Sequence, residues 1–278
     1  MEPFVPSAGT EVLSRSISDY PDGIILVVDK PYRWTSADVV RKIKYAAKRH
    51  FDKKNLKVGH AGTLDPLATG VLIVCIGPAT RMAEELQNHD KEYVAGLSFG
   101  ATTPSYDLEK DIDARFPYEH VTEQGVRDAL LNFLGEQNQV APLFSAKNID
   151  GQRAYEIARK AFRAGEEIPE GILRASRIRI DSCELLSFAD EGSAIAHIQD
   201  SVGASGRINV AEDDVRLPHA SIRLSCSKGT YVRAFARDLG ESLGTGAYLN
   251  ALRRTRSGSF TVQQALSPEE AVSLLSAY

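Results

Sequence analysis

An α/β fold is what this sequence predicts, on three observations. Residues 24–28 (IILVV) and 71–76 (VLIVCI) are short apolar runs rich in β-branched side chains, as buried core strands are. Residues 91–100 and 220–226 alternate apolar with polar side chains at a period of two, as half-buried strands do. The stretch that follows Thr35-Ser36 and residues 121–134 repeat apolar side chains at helical spacing instead, with Val39, Val40, Ile43, Ala46 and Ala47 on one face of the first and Val126, Ala129, Leu130 and Phe133 on one face of the second.

The chain of 278 residues has room for one large domain or two small ones. Its 43% hydrophobic and 25% charged residues are ordinary for a soluble globular protein. No apolar run approaches the roughly 20 residues that a membrane helix needs. Residues 1–22 carry an acid at Glu2 and no apolar core, so they are expected to be a poorly ordered lead-in and not a secretory signal. Cys75, Cys183 and Cys226 are far apart and lack zinc-site spacing, so free thiols and a cytoplasmic location are expected. A net charge of −4 argues against a protein that coats nucleic acid with its whole surface, but a local basic face is compatible with it.

In chain order, strand 24–28 ends at Asp29-Lys30-Pro31, and Thr35 and Ser36 are helix N-cap candidates. The outer face of the helix that follows is basic. Arg41, Lys42, Lys44, Lys48, Arg49, Lys53, Lys54 and Lys57 make eight basic residues in the seventeen from 41 to 57, the strongest positive patch in the chain. Charge runs are usually solvated helix faces, but this one directly precedes a Gly- and Pro-rich loop with a single carboxylate, Asp65, which favours phosphate contact. Pro66 pushes Asp65 out of helical geometry, so the carboxylate sits on a stiff loop beside the core strand 71–76. A turn or cap role is the ordinary fate of an aspartate there.

The whole stretch GHAGTLDPLATGVL (59–72) closely resembles the signature of the TruB-type tRNA pseudouridine synthases. The resemblance implies a pseudouridine synthase fold, in which a mixed, largely antiparallel sheet is flanked by helices, over one catalytic domain at 23–278. It makes Asp65 the catalytic aspartate and His60 a histidine that contacts RNA near the target. DKPYRWTS (29–36) is similar to the family's opening DKPxGxTS, which brings in Lys30, with Arg33 in place of the glycine. In the alternating strand, Tyr93 falls at the active-site tyrosine that stacks on the target base. ATTPSYDLEKDID (101–113) keeps the acid of a TxTxDxxG pattern in Asp107 and lacks its glycine.

Residues 138–171 interleave Lys147, Arg153, Arg159, Lys160 and Arg163 with Phe144, Tyr155 and Phe162. Guanidinium groups meet phosphates and rings stack on bases, so the mixture suits RNA. The segment resembles the family's PxxSAxKxxGxRxYExAR stretch, an RNA-gripping arm, which assigns Lys147, Arg153 and Tyr155 to RNA binding. A strand is expected at 178–186. An acidic insertion at 187–218 with Asp190, Glu191, Asp200, Glu212, Asp213 and Asp214 should then point away from RNA, with a hairpin expected around 195–198. CSKGTYVR (226–233) matches a second family motif, which adds Lys228 and Tyr231 to the RNA-contact set and makes Arg233 the partner of the catalytic aspartate. LRRTRSG (252–258) matches a third, in which Leu252 packs against the target base, although by itself the segment reads as a basic turn. The resemblance is to the stand-alone bacterial type, so the RNA-binding PUA domain that many relatives carry after the last short helix is not expected.

The implied reaction moves the ribose C1′ bond from uracil N1 to uracil C5 at uridine 55 in the TΨC loop of tRNA. It is an isomerisation, so neither cofactor nor metal is expected, and no Walker loop or dinucleotide fingerprint occurs. A fixed carboxylate suits the positive charge that develops on ribose. The expected partner is the T arm of tRNA, with no membrane and no protein partner, the chain acting as a monomer. Two other readings stay open here. One is a guide-RNA-dependent relative that modifies ribosomal RNA. The other is an RNA-binding or RNA-folding module without catalysis.

Overall fold

The computed structural model describes residues 2–6, 10, 12–145, 147–149, 151–164, 173–191, 208 and 210–276. In chain order the longer elements are β1 (Ile24–Lys30), α1 (Ser36–His50), β2 (Val58–Ala61), β3 (Ala68–Ile76), α2 (Ala83–Asn88), β4 (Lys91–Phe99), α3 (Glu123–Leu131), β5 (Gly135–Gln139), α4 (Ala154–Ala164), β6 (Ser176–Ala189), β7 (His219–Cys226), α5 (Val232–Ser242), β8 (Ala247–Ser257) and α6 (Pro268–Ser273). The chain divides into two compact units where the sequence suggested one domain. The first comprises Met1–Tyr93, His197–Ile208 and Leu252–Tyr278, and the second Val94–Ala196 and Asn209–Ala251.

In the first unit β1 and β2 both run antiparallel to β3, and the C-terminal half of β8 runs parallel to it. The predicted α/β class and mixed, largely antiparallel sheet are both present. Every residue of β3 is buried, as its apolar sequence requires. One face of β1 and β3 packs with Val39, Ile43 and Ala47 of α1 and with Ala271, Leu274 and Leu275 at the end of the chain. The other face is covered by Leu86 of α2 and by Met82, Ala83 and Val262. The helix α1 starts where Thr35 and Asp38 form a reciprocal capping box, and its last turn carries Lys48, Arg49 and His50, which complement the helix dipole.

The lead-in is better placed than the sequence suggests. Phe4 bridges to Ile24, Leu13 is buried, and the Leu13 amide donates to the Leu274 carbonyl. Arg33 adopts φ of 60°, the left-handed backbone that favours glycine. Arg33 thus takes a backbone conformation that a glycine would adopt without strain, and its guanidinium is anchored on the Ile208 carbonyl.

In the second unit β6 pairs antiparallel with both β7 and β5. Just past the end of α3, Phe133 makes an edge-on contact with Phe235 of α5, the ring centroids 5.2 Å apart. The last acids of the expected insertion are bound into the second unit. Asp213 accepts hydrogen bonds from Ser98, Tyr248 and Asn250 and contacts the fully buried His219, while Asp214 pairs with Arg115 and Arg216. Burial pushes the Asp213 carboxyl up, but the bonds from His219, Tyr248 and Ser98 outweigh it and hold the group below its usual range. The hairpin expected at 195–198 lies outside the described residues.

All three cysteines are free, Cys75 and Cys226 buried and Cys183 partly so. Among the described residues, no helix is long and apolar enough to cross a membrane and no cluster of side chains could hold a metal ion.

Candidate active site

Asp65 lies half-buried on the loop between β2 and β3, and everything around that loop restrains it. Ser36 is not the helix cap; Thr35 is. The Ser36 hydroxyl instead receives the Leu64 amide at 2.9 Å and lies 3.0 Å from the Leu64 carbonyl. The Lys30 ammonium, completely buried, donates to the carbonyls of Pro31, Trp34 and Pro66 at 2.9, 2.6 and 3.1 Å. Lys30 thus reaches the backbone on either side of its own turn and just past Asp65. In this structure its ammonium bonds are made within the protein. Burial pushes its amine down to about 7, opposed by the charge of Asp65 nearby.

The third restraint comes from β8. Leu252, Arg253 and Arg254 pair in parallel with Ala68, Thr69 and Gly70. The segment that read as a basic turn is therefore the end of a core strand. Arg253 forms a two-pronged pair with Asp29, and the Arg254 guanidinium donates to the carbonyls of Gly62, Thr63 and Val71. Gly70 has φ of 101°, and a Cβ there would collide with the Arg254 carbonyl. Gly70→Ala is accordingly expected to cost more than about 3 kcal/mol, through overpacking combined with backbone strain. A thermal or denaturant unfolding curve within 1 kcal/mol of wild type, on the same scale, would show that this contact yields easily.

His60 lies in β2, opposite Val74 of β3. Burial pushes its imidazole below the ordinary value, and the Arg254 charge adds to the effect, so the ring is neutral at physiological pH. Leu252 and Tyr93 are both buried, Tyr93 at the last position of the first unit.

The basic stretch is exposed at Arg41, Lys44 and Arg49 on α1 and at Lys53, Lys54 and Lys57 after it. Arg41 pairs with Asp38, and Arg49 stacks on the exposed Tyr45 ring at 5.6 Å. Beside this face runs a groove of about 440 Å³ lined by Lys44, Lys48, Lys54, Lys57, the Gly59 backbone and Thr80. Four ammonium groups around one groove suit successive phosphates of a polynucleotide backbone.

In the second unit, Arg233 is buried near the start of α5. It donates to the carbonyls of Ser105 at 3.1 Å and Phe144 at 2.9 Å, and its Nε lies 3.6 Å from Asp107. Asp107 is itself buried and receives the Ser105 hydroxyl and the Glu109 amide. The acid retained from the incomplete TxTxDxxG pattern is thus a partner of Arg233, which the sequence did not reveal. Tyr231 caps α5 and exchanges two hydrogen bonds with the Gln139 side chain, through its amide and its carbonyl. Lys228 is exposed on the preceding turn. Lys147 spends its ammonium on the Arg174 carbonyl and the Ser176 hydroxyl. The side chains of Arg153 and Tyr155 lie outside the described residues.

Taken together, these elements define a catalytic fold with one rigidly held carboxylate loop beside a basic surface. The chain belongs to the TruB family of pseudouridylate synthases, enzymes of the isomerase class. The model of the TruB family N-terminal domain matches residues 48–232, and that of the tRNA pseudouridylate synthase B C-terminal domain matches residues 233–275. A protein of Phocaeicola vulgatus named tRNA pseudouridine synthase B is 47% identical over 251 residues, which are 90% of this chain and 92% of that one. One of the same name from Flavobacterium johnsoniae is 39% identical over 89% of this chain and 94% of its own. Among solved structures, a chain of a Cbf5-Nop10-Gar1 complex superposes with a TM-score of 0.57 at 25% identity. The match covers 96% of this chain and 62% of that one, so the chain spans less than two thirds of that neighbour's length.

Proposed function

We propose that this enzyme converts uridine 55 in the TΨC loop of tRNA to pseudouridine, with Asp65 as the catalytic carboxylate and Tyr93 and Arg233 in supporting catalytic roles. The observation that carries the reading is the Asp65 loop itself. Its carboxylate is half-exposed while the backbone around it is held from three elements. A carboxylate fixed in advance can meet the charge that develops on ribose without reorganising at that moment. The names of the relatives reported above support tRNA as the substrate.

The target base must leave its stack, at a cost of a few kcal/mol. A neutral, partly buried His60 is suited to fill the space the base vacates, where a charged imidazolium would be poorly solvated. Tyr93 and Leu252 provide stacking and packing for the uracil while it turns. Lys228, Tyr231, Lys147, Arg153 and Tyr155 remain proposed RNA contacts, together with Arg41, Lys48, Arg49, Lys53 and Lys54. In this reading the enzyme works in the cytoplasm as a monomer, with no protein partner.

The test is to incubate the purified protein alone with an unmodified tRNA transcript and map pseudouridine. Product at position 55, formed without a second RNA, is expected. Absence of product, or product only with an added guide RNA, would reject the proposal. The basic face makes a further prediction. Affinity should fall steeply with salt as phosphate contacts release counterions, and replacing Lys48, Arg49, Lys53 and Lys54 by glutamine should flatten the log–log slope by up to about 3. The Michaelis constant should rise more than turnover falls, because these groups bind without touching the reacting base. An unchanged slope in steady-state kinetics at several salt concentrations would remove this face from the RNA interface.

A further inference from the structure

Arg254 is the largest fully buried side chain among the described residues, and its guanidinium bonds run to backbone carbonyls. A buried cation is weak evidence for stability, since well-packed apolar groups often serve as well. What distinguishes Arg254 is where its bonds end. Nη2 and Nη1 hold the carbonyls of Gly62 and Thr63, two or three residues before Asp65, and Nε holds Val71, six residues after it. Lys30, the other buried cation of this region, holds Pro66 between those ends. The geometry of the guanidinium fork lets one side chain bind both limbs of the loop at once. The same residue's backbone abuts Gly70, so the loop is gripped by both parts of one amino acid.

We propose that Arg254 is a positioning residue for the reaction, fixing the two limbs that flank Asp65, Gly62–Thr63 of the loop and the start of β3, so that the Asp65 carboxylate is held in its working place. This rests on the reading of Asp65 as the catalytic carboxylate. Arg254 touches neither substrate nor reacting atoms; it acts through the loop. Positioning accounts for large rate factors when a reacting group must sit within a fraction of an ångström of its target.

The test compares Arg254→Met and Arg254→Lys with wild type in four measurements. These are turnover and Michaelis constant on tRNA transcript, RNA affinity, melting temperature, and hydrogen exchange of the Leu64 and Ala68 amides. Those amides bond to Ser36 and to the Asp65 carbonyl, so they report the loop directly. R254M is expected to lose about 100-fold in kcat with KM and RNA affinity within threefold of wild type, and both amides should exchange faster. R254K should recover only part of the loss, because one ammonium cannot span both limbs. If R254M does not fold, R254K alone decides: a tenfold or greater loss of kcat supports the proposal, and wild-type kcat overturns it. Retained kcat in folded R254M, or unchanged exchange at both amides, also overturns it. Should wild type itself make no pseudouridine while R254M loosens the loop, the function reading fails and the positioning of the loop stands.

Discussion

Asp65→Asn is expected to abolish pseudouridine formation, by at least about 10⁴-fold, while leaving RNA affinity within a factor of about three. The amide keeps the shape of the side chain and removes its charge. The backbone restraints on the loop come from Ser36, Lys30 and Arg254 through the Leu64 amide and the Pro66 and Gly62 carbonyls, and these bonds do not depend on the Asp65 charge. The measurement is single-turnover kinetics with excess enzyme on a labelled tRNA transcript, with a filter-binding titration alongside. Turnover within tenfold of wild type in a preparation checked for deamidation would remove Asp65 from the chemistry. A loss of RNA affinity equal to the loss of rate would make it a binding residue instead.

Arg233→Lys should be nearly as damaging, with a loss of about 100-fold or more in kcat. The side chain is buried, keeps its positive charge in the variant, and loses the planar fork that serves the Ser105 and Phe144 carbonyls and faces Asp107 together. A single ammonium can satisfy part of that set, and the buried acceptors left over cost about 1–3 kcal/mol each. The variant should therefore also melt lower than wild type. Asp107→Asn is the informative companion, since it removes the acid and keeps an acceptor. If both variants retain wild-type turnover at saturating tRNA, the buried Arg233 cluster is scaffolding without a part in the reaction.

The strands and the first helix were legible because their signals are local. An unbroken apolar run such as 71–76 has few other homes, and the helical spacing of Val39, Ile43 and Ala47 fits one buried face. The candidate carboxylate was legible for a different reason, a long specific motif. What the sequence hid depends on pairing at a distance. Nothing near Arg254 announces that its charge will be buried against residues about 190 positions away, and a run of three arginines in five residues reads as surface. Asp213 and Asp214 look like members of a solvated acidic stretch, yet they serve as acceptors for His219, Tyr248, Arg115 and Arg216. Ser36 sat beside a better cap in Thr35, and only the fold shows which hydroxyl is spent on the helix and which on the loop. The apolar start of β8, Ala247-Tyr248-Leu249, was the available hint that the arginines after it continue a strand.

The parallel pairing of β8 with β3 also has a consequence in time. The loop that holds Asp65 is among the early parts of the chain to be made, but its clamp is delivered by residues 252–254, and the core beneath it is closed by Ala271, Leu274 and Leu275. Joining segments so distant in sequence is entropically slow and comes late in folding. A nascent chain that has not yet reached residues 252–275 therefore carries the whole GHAGTLDP signature without these restraints on it. Competence for catalysis would then be acquired in one late step, when the final segment docks, and partly synthesised chains would remain inert toward the RNA around them.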